Sequence, residues 1–347
     1  MALATTLAAL IGVELLFRLA LPAVAPDAAV QLSDWRARFA PQWDPSPLFR
    51  PHPYLSYVSA DLGVNAEGFY GPDRTVTPPP NALRIACLGA STTAGADAWP
   101  HQLEGLLSEA LPERTVEVFN YGVSGWTTAE SLINFAINAQ DYQPDVVILH
   151  HAANDLGPME RVDFRRDYSH YRRPLSLSVT EQGQMRARQG LTWGIDRSLG
   201  RISNLYLWTR IQLAGEVPSR FTLQGLTMLS GQPAPVDAER AAVFVRNIRS
   251  IGTLAEASGA SMILTTIPHL RTDSRTPEWG AVWVEGMADQ HHRLSEIAAS
   301  TGWPLVDLDA MMHGETERFT DPLHVDKVGN QRKAALLLDA VLERIEP

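Results

Sequence analysis

The sequence predicts an α/β protein, a three-layer α/β/α domain on a mostly parallel five-stranded sheet. Three observations carry this. Five short runs, rich in β-branched and other apolar residues, show little polar alternation, as strands covered on both faces do. Stretches of helical periodicity alternate with these runs, the pattern of repeated β-α units with helices on both faces. The first runs end abruptly in glycines, hydroxyls and amides, which mark tight turns at the strand ends.

At the N-terminus, residues 2–25, "ALATTLAALIGVELLFRLALPAVA", carry only Glu14 and Arg18 as charges. These sit four apart and can pair on one helix face. The length suits a bilayer crossing, and no basic region precedes it as a secretory signal requires. Two readings stay open: a membrane or signal anchor with the protein membrane-bound or exported, or a helix packed on a cytoplasmic or soluble domain. Residues 26–80, rich in Pro, Asp and aromatics, read as an irregular extension ending in the linker "TVTPPPN". The domain proper is expected over 81–347. Its strand runs are "LRIACLG", "VEVFNYG", "DVVILHHA", "SMILTTIP" and "PLVDLDA". Helices are expected near 98–111, 127–141, 237–258, 281–300 and 326–345, with right-handed crossovers. Residues 157–235 contain no clear strand and are too long for a plain loop, so they read as an insertion with short helices. An insertion after a strand's C-terminal end lies near the ligand-binding edge of such a sheet.

Composition narrows the function. A formal net charge of −10 argues against a nucleic-acid partner, which calls for basic patches. The single cysteine, Cys87, lies inside the first strand run and reads as a core residue. One thiol cannot build an intrachain disulfide or a thiolate zinc site. No cofactor motif is present. The loop "GASTTAG" lacks the Gly-Lys-Ser/Thr ending of a phosphate-binding loop and the Gly-x-Ser-x-Gly form of a nucleophile elbow.

Ligands of such sheets bind beyond the C-terminal ends of the strands. There the sequence puts Gly89-Ala90-Ser91, then "NYGVSGW" from Asn120 to Trp126, then "HHAAND" from His150 to Asp155. Before the last helix stands "TDPLHVDKVGN", with Asp321 and His324. A nucleophile, a base, a group to orient it and donors for an oxyanion therefore fall on one rim. These four blocks resemble those of the SGNH (GDSL-type) hydrolases in order and spacing over about residues 81–347. The family's Gly-Asp-Ser appears as Gly89-Ala90-Ser91, and its Gly-x-Asn-Asp as Ala152-Ala153-Asn154-Asp155. Its glycine block matches Asn120 to Gly125, and its Asp-x-x-His is Asp321-Pro322-Leu323-His324. The upstream "VNAEGFYGPD" is similar to segments that precede the core in membrane-anchored relatives.

The reading is of a single domain flavodoxin-like in shape, and the resemblance implies a serine hydrolase of carboxylic esters, acting on a small ester or on an acylated carbohydrate or lipid. Two alternatives stand beside it: acyl transfer to a sugar hydroxyl, or a non-catalytic membrane-associated scaffold. In the hydrolase reading Ser91 is the nucleophile, against the bland role of helix cap. His324 is the base and Asp321 fixes its tautomer. The Ser91 and Gly125 N–H groups and the Asn154 side chain bind the oxyanion. Ser124 follows no partner block, Gly122 reads as a turn glycine, and Asp155 as structural. His150-His151 and His291-His292 are adjacent pairs whose members do not share a face, so no metal site is expected. "RRDYSHYRR" reads as a partly packed surface or as a lid.

Overall fold

The computed structural model describes residues 2–24, 49–161, 164–171, 199, 202–206, 208–209, 236–271 and 281–345. The chain divides into two compact units, one of residues 49–174 and 230–347, the other of residues 1–48 and 175–229.

The first unit opens with a hairpin, β1 (Phe49–His52) and β2 (Ser56–Ser59), paired antiparallel. The sheet comes next: β3 (Ala82–Gly89), β4 (Thr115–Gly122), β5 (Val146–His150), β6 (Ser261–Thr265) and β7 (Leu305–Val306). Its spatial order is β4-β3-β5-β6-β7, every pair parallel. Counted along the sheet alone this is the flavodoxin-like order 2-1-3-4-5, whose crevice opens where β3 lies between β4 and β5. The fifth run stops after two residues because Asp307 turns at once into a cap. Its carboxylate accepts from the Ala310 N–H and starts a short helix.

The helices are α1 (Ala2–Val24), α2 (Trp99–Ala110), α3 (Thr128–Ile137), α4 (Ala153–Met159), α5 (Ala238–Ala257), α6 (Ala281–Thr301), α7 (Leu308–Met311) and α8 (Lys327–Ile345). Their starts are written locally. Pro100 occupies the first turn of α2, where a missing N–H costs nothing. Thr127 and Glu130 form a capping box on α3, and Asp237 caps α5. On one face of the sheet Leu83, Ile85, Cys87, Ile148 and Ile263 pack against Leu103 and Leu107 of α2 and Leu337 and Val341 of α8. Truncating one such leucine to alanine costs about 2–5 kcal/mol. Alternate residues such as Val147, Leu149, Met262 and Leu264 are buried toward the other face, where α3, α5 and α6 lie.

The stretch 26–80, expected to be irregular, contains more structure than that. Residues 25–48 fall outside the described residues, but the hairpin and the segment after it pack on the domain. The Trp126 indole N–H donates to the Tyr57 carbonyl at 3.1 Å, and the Tyr57 hydroxyl donates to the Ser124 carbonyl at 2.9 Å. Phe69 stands edge-on to Tyr121 and Trp126. The linker is fastened too: buried Arg84 of β3 donates to the carbonyls of Thr75 and Val76 and pairs with Glu117 at 2.7 Å. Most of the insertion expected at 157–235 lies outside the described residues.

In the smaller unit, Glu14 and Arg18 of α1 pair at 2.6 Å, as their spacing predicts. Burial would raise the Glu14 carboxyl. Donors from Arg18, Ser203 and the backbone N–H groups of Asn204 and Leu205 outweigh it and hold the group at about 2. Among the described residues no helix is long and apolar enough to cross a membrane; the anchor expected at 2–25 finds no support there.

Candidate active site

The site begins with a close approach. After β3 the chain turns back on itself, the N–H groups of Thr93 and Ala94 both donating to the Ala90 carbonyl at 3.0 and 2.9 Å. A Cβ on Gly89 would lie 2.1 Å from Thr93 Oγ1, and one on Gly122 would lie 2.6 Å from the Ala94 nitrogen. The two glycines are therefore spaces into which the Ser91 turn settles. Gly122 is required by contact and not by turn conformation. Gly125 differs: its φ of 82° is the left-handed geometry that glycine adopts without strain.

Across this turn comes the loop before α8. His324 Nε2 lies 2.8 Å from Ser91 Oγ, and His324 Nδ1 lies 2.7 Å from Asp321 Oδ2. The second oxygen of Asp321 accepts from the backbone N–H groups of Leu323 and His324, each at 2.8 Å. Burial pushes the Asp321 carboxyl up, but these donors, the imidazole first, outweigh it and bring it to about 2. A carboxylate so held is an acceptor at any neutral pH, so Nδ1 carries the proton and Nε2 presents its lone pair to the serine. The loop is braced from behind by the Leu270 N–H on the Pro322 carbonyl at 2.9 Å.

Asn154 opens α4, and its side-chain amide donates to the Trp126 carbonyl at 2.9 Å. That bond uses one of two amide protons and sets the group beside Gly125. Among the described residues, the N–H groups of Ser91 and Gly125 donate to no acceptor. Asp155 lies fully buried and accepts from both the N–H and the hydroxyl of Thr128, at 3.0 and 2.5 Å. It ties the start of α4 to the start of α3, a structural task as its sequence suggested. Burial pushes its carboxyl up to about 7 against the pull of those hydrogen bonds. The structure thus joins Ser91, His324 and Asp321 by hydrogen bonds and separately ties Asn154 to the residue after Gly125. The brace that Tyr57 and Trp126 provide was not legible in the sequence, since the partners stand 69 residues apart and share no motif.

The remaining candidates separate. Ser124 is held through its carbonyl by Tyr57. His150 contacts Thr265 and His151 contacts Ser131, on opposite sides of the sheet. The described part of "RRDYSHYRR" is partly packed: Arg165, Arg166 and Asp167 are exposed, Tyr168 and Tyr171 are buried, and His170 bonds to the Arg165 N–H and the Pro158 carbonyl.

One group of metal-ligating type was not foreseen. His269, His291 and Asp309 bring their donor atoms within 4.8 Å of one another. The Ile267 N–H donates to His291 Nε2 at 3.2 Å, which leaves the proton on Nδ1, facing Asp309 at 3.6 Å. His269 Nδ1 lies 3.1 Å from the same carboxylate, and Arg271 donates to it at 2.7 Å. Asp309 is therefore encircled by donors. Its burial would raise the carboxyl, but the two imidazoles hold it well below the usual range. Three separate elements supply this cluster, so no sequence spacing announces it.

Residues 87–332 match the family described as GDSL-like Lipase/Acylhydrolase. No curated protein matches the chain. Among solved structures, a GDSL-like lipase from Bacteroides thetaiotaomicron is 15% identical, covering 76% of this chain and 89% of its own, with a TM-score of 0.43. A lipase/acylhydrolase from Enterococcus faecalis is 18% identical, covering 76% and 98%, with a TM-score of 0.44. A catalytic mutant of an acetylxylan esterase from Geobacillus stearothermophilus is 15% identical, covering 76% and 94%, with a TM-score of 0.43.

Proposed function

Since the chain belongs to the GDSL-like lipase/acylhydrolase family, we propose that it hydrolyses carboxylic esters through an acyl-enzyme on Ser91. The observation that carries this reading is the hydrogen-bonded chain from Ser91 through His324 to Asp321. In this reading Ser91 Oγ attacks the ester carbonyl carbon as His324 Nε2 takes its proton. Asp321 keeps Nδ1 protonated and stabilises the imidazolium that forms. The carbonyl oxygen becomes an oxyanion that receives the Ser91 and Gly125 N–H groups and the second amide proton of Asn154. Collapse expels the alcohol, protonated by His324. Water then attacks the acyl group, again losing its proton to His324, and frees Ser91.

The acyl and alcohol parts are small or extended according to what reaches a half-exposed triad: the side chains of His324 and Asp321 keep 36% and 45% of their surface open. Such exposure suits a polar or carbohydrate-borne ester that keeps most of itself in water. Labelling with a fluorophosphonate and subsequent peptide mapping tests the reading. The label should fall on the peptide containing Ser91, and Ser91→Ala should abolish both labelling and ester hydrolysis, the latter by about 10⁶-fold in kcat. Labelling at Ser124, or none on folded protein that still cleaves esters, would sink it.

A further inference from the structure

The turn that carries Gly125 has two forms open to it, and a side chain of the N-terminal hairpin holds it in one. Residues Val123 to Trp126 make a β-turn closed by the Trp126 N–H on the Val123 carbonyl at 3.1 Å. Gly125, its third residue, has a φ of 82°, and Ser124, its second, has no positive φ. That combination is a type II turn. A type I turn has the same ends and the same closing bond, and differs by a half-rotation of the central peptide. Here the central peptide joins Ser124 to Gly125. Glycine at the third position is compatible with both forms.

That peptide carries the Gly125 N–H, an oxyanion donor in the proposed reaction. It is trans, so its carbonyl and its N–H point in opposite directions. Whatever holds the Ser124 carbonyl therefore aims the Gly125 N–H. Tyr57 of β2 holds it, its hydroxyl donating to that carbonyl at 2.9 Å. The Tyr57 carbonyl accepts from the Trp126 indole N–H at 3.1 Å, so one residue grips the turn on both sides of Gly125. Tyr57 and Trp126 are buried, where a lost partner is not readily replaced by water. Asn154 donates to the Trp126 carbonyl at 2.9 Å, so two of the proposed donors are tied to this one turn. In the type I form the Ser124 carbonyl would face where the N–H now faces, setting an acceptor where an oxyanion needs a donor.

We propose that Tyr57 is a positioning residue for the oxyanion site: its hydroxyl keeps the Ser124–Gly125 peptide in the orientation that presents the Gly125 N–H. The proposal rests on the acyl-enzyme reading of Ser91, which fluorophosphonate labelling of the wild type checks separately; a wild type without label at Ser91 fails that reading itself. Tyr57→Phe keeps the ring and removes one donor. On a small ester its kcat should fall about tenfold with KM little changed. The net worth of one hydrogen bond sets that scale, and outright loss of an oxyanion donor, about 10²–10³-fold, is the ceiling. Affinity for a trifluoromethyl ketone, which adds to a serine as a tetrahedral oxyanion, should weaken by the same factor as kcat/KM. Tyr142→Phe is the control. It likewise removes a hydroxyl that ties the domain to the N-terminal segment, at Glu67, but before the start of β5 and not at the Gly125 turn. It should lower the melting temperature and leave kcat at the wild-type value. If Tyr57→Phe does not fold, a crystal structure of the wild type with the ketone on Ser91 decides. It should show the oxyanion within hydrogen-bond distance of the Gly125 nitrogen and the Tyr57 hydroxyl on the Ser124 carbonyl. A wild-type kcat in folded Tyr57→Phe while Ser91 takes the label, an equal loss of kcat in Tyr142→Phe, or a type I turn in that crystal overturns the proposal.

Discussion

Two carboxylate–imidazole arrangements stand on the same edge of the sheet, and they are built for different ends. Asp321 holds one imidazole at 2.7 Å, and the far nitrogen of that ring meets a serine hydroxyl at 2.8 Å. Asp309 holds two imidazoles and a guanidinium, and the far nitrogen of His291 meets a backbone N–H. The first ring keeps a basic lone pair aimed at a reactive group in a half-open setting. The second spends its lone pair on the backbone inside the protein. A carboxylate beside histidine is therefore no sign of catalysis by itself. What the second nitrogen faces decides it.

Four measurements press on this contrast, beginning with the largest effect. Asp321→Asn should cut kcat by about 10⁴, because the amide lets the imidazole take the wrong tautomer. An unchanged rate would show that another group orients His324. Asn154→Ala should lower kcat by about 10²–10³ with KM little changed, since an oxyanion donor acts on charge that the ground state lacks. Asn154→Asp should be at least as harmful. If both variants lose rate only in proportion to a lowered melting temperature, Asn154 is structural.

Asp309→Asn should do the reverse. It removes the charge around which His269, His291 and Arg271 are arranged, at a cost of about 1–3 kcal/mol in stability, while kcat stays close to wild type. A rate loss comparable to that of Asp321→Asn would erase the distinction between the two clusters. Melting temperature and kcat on the same preparation decide it.

The pH-dependent measurement concerns Asp155, a buried carboxylate facing hydroxyl and amide groups instead of cations. Its carboxyl is raised from 3.8 to about 7, so the folded state prefers the protonated form. Its contribution to stability is therefore fully present below about pH 4 and is lost as pH rises through about 7. The neutral Asp155→Asn should flatten that part of the profile, visible as a smaller fall in melting temperature between pH 4 and 7 relative to wild type. A fall equal in both proteins would assign the pH dependence to other groups.

Much of the domain was legible because it is locally encoded. Helices expected at 98–111, 237–258 and 326–345 appear as Trp99–Ala110, Ala238–Ala257 and Lys327–Ile345, since periodicity, Pro100 and the Asp237 cap act within a turn or two. Strand runs buried on both faces read as unbroken apolar stretches. The short β7 was overestimated: "PLVDLDA" is apolar enough for a strand, but Asp307 caps α7 and ends it. The hairpin at 49–59 was missed because "FRPH" and "SYVS" lack the alternation of a strand and are tied to the domain through Tyr57, which bonds to Trp126 and Ser124.

The sequence by itself determined which residues stand at the strand ends and which chemistry they offer: a serine, an asparagine, a glycine-rich turn and an Asp-x-x-His. Only the tertiary structure decided that Ser91 and His324, 233 residues apart, lie at hydrogen-bond distance. It alone decided that Gly89 and Gly122 must be small because the Thr93 turn lies on them. It also gathered Asp309 and its histidines into a cluster that no spacing announces. The physical reason is range. Capping, periodicity and turn chemistry act over a few residues, whereas a parallel sheet joins segments through crossovers. The groups those crossovers bring together are set by strand order and register, which local sequence does not carry.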